Sequence, residues 1–132
     1  MGRSRLITGR TAKVSDDAKP KRRHKYGAKR TEVDGIWFDS KAEAKRYVEL
    51  CILVKAGLIT NLDLQPAFML QESFLQGGKR TRSIKYIADF QYIQDGKEVV
   101  EDVKGKETEG FKLKRRLFLK RYPDLELRIV HC

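Results

Sequence analysis

Apolar residues recur every three or four positions after Ser40, at Ala44, Tyr47, Leu50, Cys51 and Val54. At about 100° per residue they form one stripe, while Lys41, Lys45, Arg46 and Glu49 fall on the other side. The pattern predicts a helix that starts at Ser40, a good N-cap, and runs to about Ala56, with Gly57 placed to end it in the left-handed conformation. Upstream, 32–38 holds two short apolar pieces around Asp34-Gly35, a pair suited to a tight hairpin turn. Downstream the period changes to two. Residues 61–65 and 67–71 read as strands separated by Pro66, which has no N–H for a ladder and so marks an edge or a bend. Gly77-Gly78 reads as a loop, and 83–93 and 97–104 as strands joined across Asp95-Gly96. A second helix over about 108–122 stops before Pro123, and 125–130 alternates as a closing strand. The order helix, three or four strands, helix, strand predicts an α/β fold with a mixed central β-sheet flanked by helices.

Charge adds a partner to this picture. The chain has 132 residues, and 29 Lys+Arg against 18 Asp+Glu give a net charge of +11. Eleven of those cations and two of the acids lie in residues 1–30, which leaves the remainder nearly neutral. A flexible basic arm over 1–25 followed by a single domain over 26–132 is therefore expected, with a polyanion, first of all nucleic acid, as the partner. Lys21, Arg22, Arg23, Lys25, Lys29 and Arg30 would contact phosphate; a solvated tail that aids solubility is the alternative. Cys51 and Cys132 cannot build a disulfide framework, and there is no apolar run of membrane-spanning length and no signal-peptide core. A cytoplasmic protein with no membrane partner is expected.

The candidate chemistry lies in the hairpin at Asp95-Gly96. With those two as the central residues of a two-residue turn, Gln94 closes with Lys97, and the register brings Asp89 opposite Asp102. Like charges so placed are destabilising, and a hard divalent cation, Mg²⁺ or Mn²⁺, between the carboxylates would relieve them. A register shifted by one, or a hydrogen bond from backbone or Arg, would explain the pair without metal. Lys104, two residues past Asp102, shares its face. Glu43 closes a capping box, Ser40-Lys41-Ala42-Glu43, yet also ends the inward apolar stripe, so that a metal-site role stands beside the cap. Glu101 points to the opposite face from Asp102 and is set aside.

Glu43, Asp89 and Asp102-Val103-Lys104, followed by a helix and a strand, resemble the PD-(D/E)XK nuclease superfamily. More closely, Tyr26-Gly27-Ala28-Lys29, residues 38–44, Leu64-Gln65-Pro66, residues 86–90 and residues 100–105 resemble the phage and prophage family known as domain of unknown function 1064. The resemblance implies a restriction-endonuclease-like core and a metal-dependent phosphodiester hydrolase of bacterial host cytoplasm, phage or prophage in origin. Asp89, Asp102, the Val103 carbonyl and Glu43 would hold Mg²⁺ or Mn²⁺, and Lys104 would orient the attacking water. The superfamily's Pro-Asp is here Ala88-Asp89, and its more frequent Glu is Asp102. Cleavage of branched DNA, at junctions or flaps, is also what the resemblance implies, and junction cutting would call for a homodimer.

Gln65 reads equally as a ligand- or water-bonding amide and as a strand-edge residue. Lys112, Lys114, Arg115 and Arg116 crowd the second helix directly after the DxK strand, as DNA-backbone contacts or as a solvated face. Trp37, Tyr86, Tyr92 and Tyr122 read as core. A non-catalytic nucleic-acid-binding protein of a phage replication or packaging complex is the competing function; Asp89, Asp102 and Lys104 argue for the enzyme, because a binder gains nothing from opposed aspartates.

Overall fold

Asp34 and Gly35 both take positive φ, 54° and 78°, and turn strand β1 (Thr31–Val33) onto β2 (Ile36–Phe38). The computed structural model describes residues 30–132; the basic arm over 1–25 lies outside the described residues. Ser40 then caps helix α1 (Lys41–Lys55), its side chain accepting from the Glu43 N–H, and Gly57 follows at φ 77°. Strand β3 (Thr60–Leu64) leads through Gln65-Pro66 into β4 (Ala67–Gln71). Strands β5 (Phe74–Gln76) and β6 (Lys79–Thr81) form a hairpin across Gly77-Gly78, followed by β7 (Ile84–Ile87) and β8 (Phe90–Gln94). Asp95 and Gly96, both at positive φ, turn β8 onto β9 (Lys97–Lys104). Thr108 caps helix α2 (Glu109–Arg121), which returns the chain to β10 (Glu126–His131) beside β9.

The main sheet has the order β10-β9-β8-β3, with β9 and β10 parallel and the other pairs antiparallel. It is a mixed sheet in a mixed α/β fold, as the pattern predicts, but richer in strands: seven, not three or four, separate the two helices. Two causes account for the difference. The Gly77-Gly78 loop is the turn of a hairpin, and the segment 83–93 is two strands, because the chain exchanges partner β4 for partners β3 and β9 at Ala88-Asp89. Gln65-Pro66 makes the matching bend: Gln65 N–H donates to the Asp89 carbonyl at 2.9 Å, and Ala88 N–H to that of Pro66 at 3.1 Å.

Alternation along β9 splits the core in two. Val99 and Val103 pack with Ala44, Tyr47 and Leu50 of α1 and with Phe90 and Tyr92 of β8. Val100 packs on the other face with Phe111 and Phe118 of α2 and with Phe68, Leu70 and Tyr86. The α1 stripe is thus the inward one, with one correction: Arg46, assigned outward, reaches back over β9 and clamps Glu101 with two nitrogens at 2.8 and 2.7 Å. Glu101 itself is fully buried and also accepts from the Tyr92 hydroxyl. Tyr86 and Tyr92 are core and Tyr122 packs on Phe68 and Phe118, but Trp37 is 39% exposed, with the Arg30 guanidinium 5.3 Å from its ring centroid.

Candidate active site

The bend at Ala88-Asp89 positions the first carboxylate. The β8–β9 ladder follows the register fixed by Asp95-Gly96 from Gln94↔Lys97 to Phe90↔Glu101 and then stops. Beyond it, the Asp89 N–H donates to the Glu101 carbonyl at 3.0 Å, and Asp89 Oδ2 accepts the Val103 N–H at 2.7 Å. The side chain takes over where the ladder ends. A strand residue directs its N–H and C=O to the same edge, so the Val103 carbonyl leaves β9 on the side where Asp89 lies.

Asp89 and Asp102 lie close enough for each carboxyl to bear on the other. Burial, then the negative charges of Glu43 and Asp102, then the close approach of the Asp102 carboxyl push the Asp89 carboxyl up to about 9, against the weaker pull of the Val103 N–H. Crowded acids that cannot all ionise keep a proton between them. Asp102 is buried and accepts at Oδ2 from the Tyr86 hydroxyl at 2.5 Å, with Lys104 Nζ 3.8 Å from Oδ1. Burial and the bond to Asp102 drive the Tyr86 hydroxyl well above the usual phenol range, so it stays a donor. Lys104 Nζ also lies 4.4 Å from the ring centroid of Phe111 in the first turn of α2, with Arg115 5.2 Å from the same ring. The ammonium is thus held between a carboxylate and an aromatic face, with part of its side chain open to solvent.

The structure therefore brings together Asp89, Asp102, Lys104 and the Val103 backbone, with Glu43 close enough to act on Asp89 through its charge. Among the described residues, no three His, Cys, Asp or Glu side chains form a group able to hold a metal ion. Gln65 stands at the bend with φ 49°, tied through its N–H to the Asp89 carbonyl. On α2, Lys112 pairs with Glu109 at 3.5 Å and Arg115 with Glu107 at 3.4 Å, while Lys114 and Arg116 are exposed. Lys21, Arg22, Arg23, Lys25 and Lys29 lie outside the described residues. Sequence reasoning missed the polar role of Tyr86 and the seat that Phe111 gives Lys104. A buried tyrosine hydroxyl needs a partner, and Asp102 is the buried acid on that face.

Residues 23–132 match the model of a family described as a protein of unknown function, DUF1064. The chain belongs to DUF1064. No curated protein matches it, and no solved structure does. Among the described residues of this DUF1064 member, no helix is long and apolar enough to cross a membrane.

Proposed function

We propose that this DUF1064 protein is a metal-dependent endodeoxyribonuclease with a restriction-endonuclease-like core of the PD-(D/E)XK kind. In this reading it is phage or prophage in origin and hydrolyses phosphodiester bonds in branched DNA in the host cytoplasm. The observation that carries it is the crowded, buried pair Asp89–Asp102, beside a lysine held in place by one of them and by an aromatic ring. A proton kept on Asp89 by burial and by neighbouring negative charge is what a divalent cation would replace, so the donor set fits a hard ion such as Mg²⁺ or Mn²⁺. Asp89, Asp102 and the Val103 carbonyl would hold it, with Glu43 adding charge. When bound, the ion would supply a Lewis acid that activates water and neutralises charge building on the phosphoryl oxygens.

The chain's own residues account for the rest. Lys104 Nζ presents hydrogen-bond donors and a positive charge to a water beside the scissile phosphate. Its place is fixed by Asp102 and by the Phe111 ring, so it acts with little reorganisation. Tyr86 holds Asp102, Val103 holds Asp89, and no covalent intermediate is needed. Basic residues on α2, Lys21 to Lys25 in the arm, and Lys29 and Arg30 just after it would bear on the DNA backbone.

A second reading, a nucleic-acid-binding protein of a phage replication or packaging complex, is favoured by the lack of a three-ligand group among the described residues. Incubation of four-way, flap, mismatched and linear DNA with Mg²⁺, Mn²⁺ or EDTA separates the two. Cleavage of branched DNA with metal, lost in EDTA and in Asp102→Asn, is the expected result. Tight binding with every substrate intact would leave the binding protein.

A further inference from the structure

The hairpin β5–β6 contributes no residue to either core cluster. All twelve residues from Gln71 to Arg82 are exposed, including Phe74 and Leu75 at 41% and 62%. A lone two-stranded ribbon gains little stability in water, so its side chains have no packing reason to be apolar or aromatic. Its charge is one-sided. Lys79, Arg80, Arg82 and Lys85 face a single acid, Glu72, whose carboxylate lies 3.8 Å from Arg121. Register places Phe74 opposite Thr81 and Gln76 opposite Lys79 on one face, with Leu75 opposite Arg80 on the other. Apolar side chains and cations are therefore present on both faces.

From these observations we infer that the β5–β6 ribbon enters the major groove of duplex DNA with its Phe74 face against the base edges and with Lys79 and Arg80 reaching the flanking phosphates. The inference rests on DNA as the substrate of the proposed nuclease and names how the duplex is gripped. The major groove of B-DNA admits a two-stranded ribbon, and apolar side chains there meet thymine methyl groups. The distance also fits. The turn at Gly78 lies eleven residues from Asp89 along β7 and its flanks, a reach of at most ~36 Å at ~3.3 Å per residue. One turn of the duplex is ~34 Å, so a ribbon in the groove lies within about one turn of a phosphate at Asp89 and Asp102.

The test compares binding of a B-form DNA duplex and an RNA duplex of the same sequence by the full chain, in EDTA over a range of salt. The variants are Lys79→Ala/Arg80→Ala and Phe74→Ala. All three positions are exposed, so thermal melts should match wild type. The double variant should bind DNA about tenfold more weakly, with a salt slope smaller by ~1.8 for two lost phosphate contacts. Phe74→Ala should weaken DNA binding at unchanged slope. RNA should be indifferent to both, because its deep, narrow major groove admits no ribbon. Unchanged DNA affinity, equal losses on DNA and RNA, or a wild type that does not bind duplex DNA would overturn the inference. Binding in EDTA is independent of hydrolysis. A chain that grips DNA through the ribbon but never cuts it with Mg²⁺ overturns only the nuclease; one that cuts while the variants bind normally overturns only the ribbon.

Discussion

The N–H of Val103 donates to the Asp89 carboxyl at 2.7 Å, and that bond fastens the end of β8 to the part of β9 that runs past it. Because Phe90↔Glu101 is the last ladder pair, the Asp89 side chain takes the place of the next backbone partner. The aspartate is thereby fixed, buried, against Asp102 in a crowd of negative charge, and burial and that charge together favour its protonated form.

That proton gives stability a pH dependence. The folded Asp89 carboxyl titrates near 9 and the unfolded one near 3.8, so between these values the folded chain holds a proton that the unfolded chain has lost. Stability in EDTA should fall as pH rises through that window, by at most ~1.4 kcal/mol per pH unit for one proton. Asp89→Asn, whose amide can still accept from Val103, should remove this slope and be the more stable protein at high pH, while losing cleavage. Urea denaturation at a series of pH values in EDTA checks it; a slope that persists in Asp89→Asn would assign it to another group.

Glu43 is the largest charge acting on Asp89, while its N–H is the one that Ser40 caps. Glu43→Gln keeps the N–H and a side chain suited to a capping box, so stability should change by under ~1 kcal/mol. The fall in stability with pH should shift to lower values, because one of the charges that holds the proton on Asp89 is gone. Cleavage should drop at least tenfold in the metal-dependent assay. A pH profile identical to wild type would confine Glu43 to the cap.

Tyr86→Phe removes the hydroxyl that donates to Asp102 and nothing else. A lost hydrogen bond to a charged group costs ~1.5–3 kcal/mol, and Asp102 is buried, so the melting temperature should fall. Its effect on cleavage should exceed that of an equally destabilising core change such as Phe118→Leu, which touches Tyr86 but no carboxylate. Equal activities in the two variants would make Tyr86 a packing residue.

Local chemistry made much of this legible. Asp34-Gly35, Ser40, Gly57 and Asp95-Gly96 act through their own φ values or the nearest N–H, so the first hairpin, the helix ends and the β8–β9 register follow from sequence, and with them the meeting of Asp89 and Asp102. The exchange of strand partners at Asp89 did not, because nothing between Ala88 and Phe90 says which strand lies alongside. The β5–β6 hairpin lacked its signal because apolar alternation reports a buried face, and every residue of this ribbon is exposed. Arg46 was misplaced because a helical wheel locates Cα atoms, whereas a long side chain can lie back along the helix and put its guanidinium over a neighbouring strand.

Arg46 leads to the last prediction. Its guanidinium forms a two-pronged pair with Glu101, is pushed to still higher pKa chiefly by that contact, and bonds Glu49 at 3.0 Å as well. Glu101 is completely buried, on the face of β9 away from Asp102 and Lys104, with Tyr92 as its other partner. Breaking such a pair from one side leaves a buried charge uncompensated, which costs ~3–5 kcal/mol. Arg46→Met should destabilise by about that much. Adding Glu101→Gln removes the stranded charge, and the double variant should be more stable than Arg46→Met alone although it carries one more change. Since the pair lies across β9 from the carboxylates, both variants should retain metal-dependent cleavage at temperatures where they stay folded. Urea denaturation beside a cleavage assay at low temperature reads both quantities. A double variant no more stable than Arg46→Met would mean that Glu101 is not charged when buried, and loss of cleavage in the folded protein would place the pair in the site.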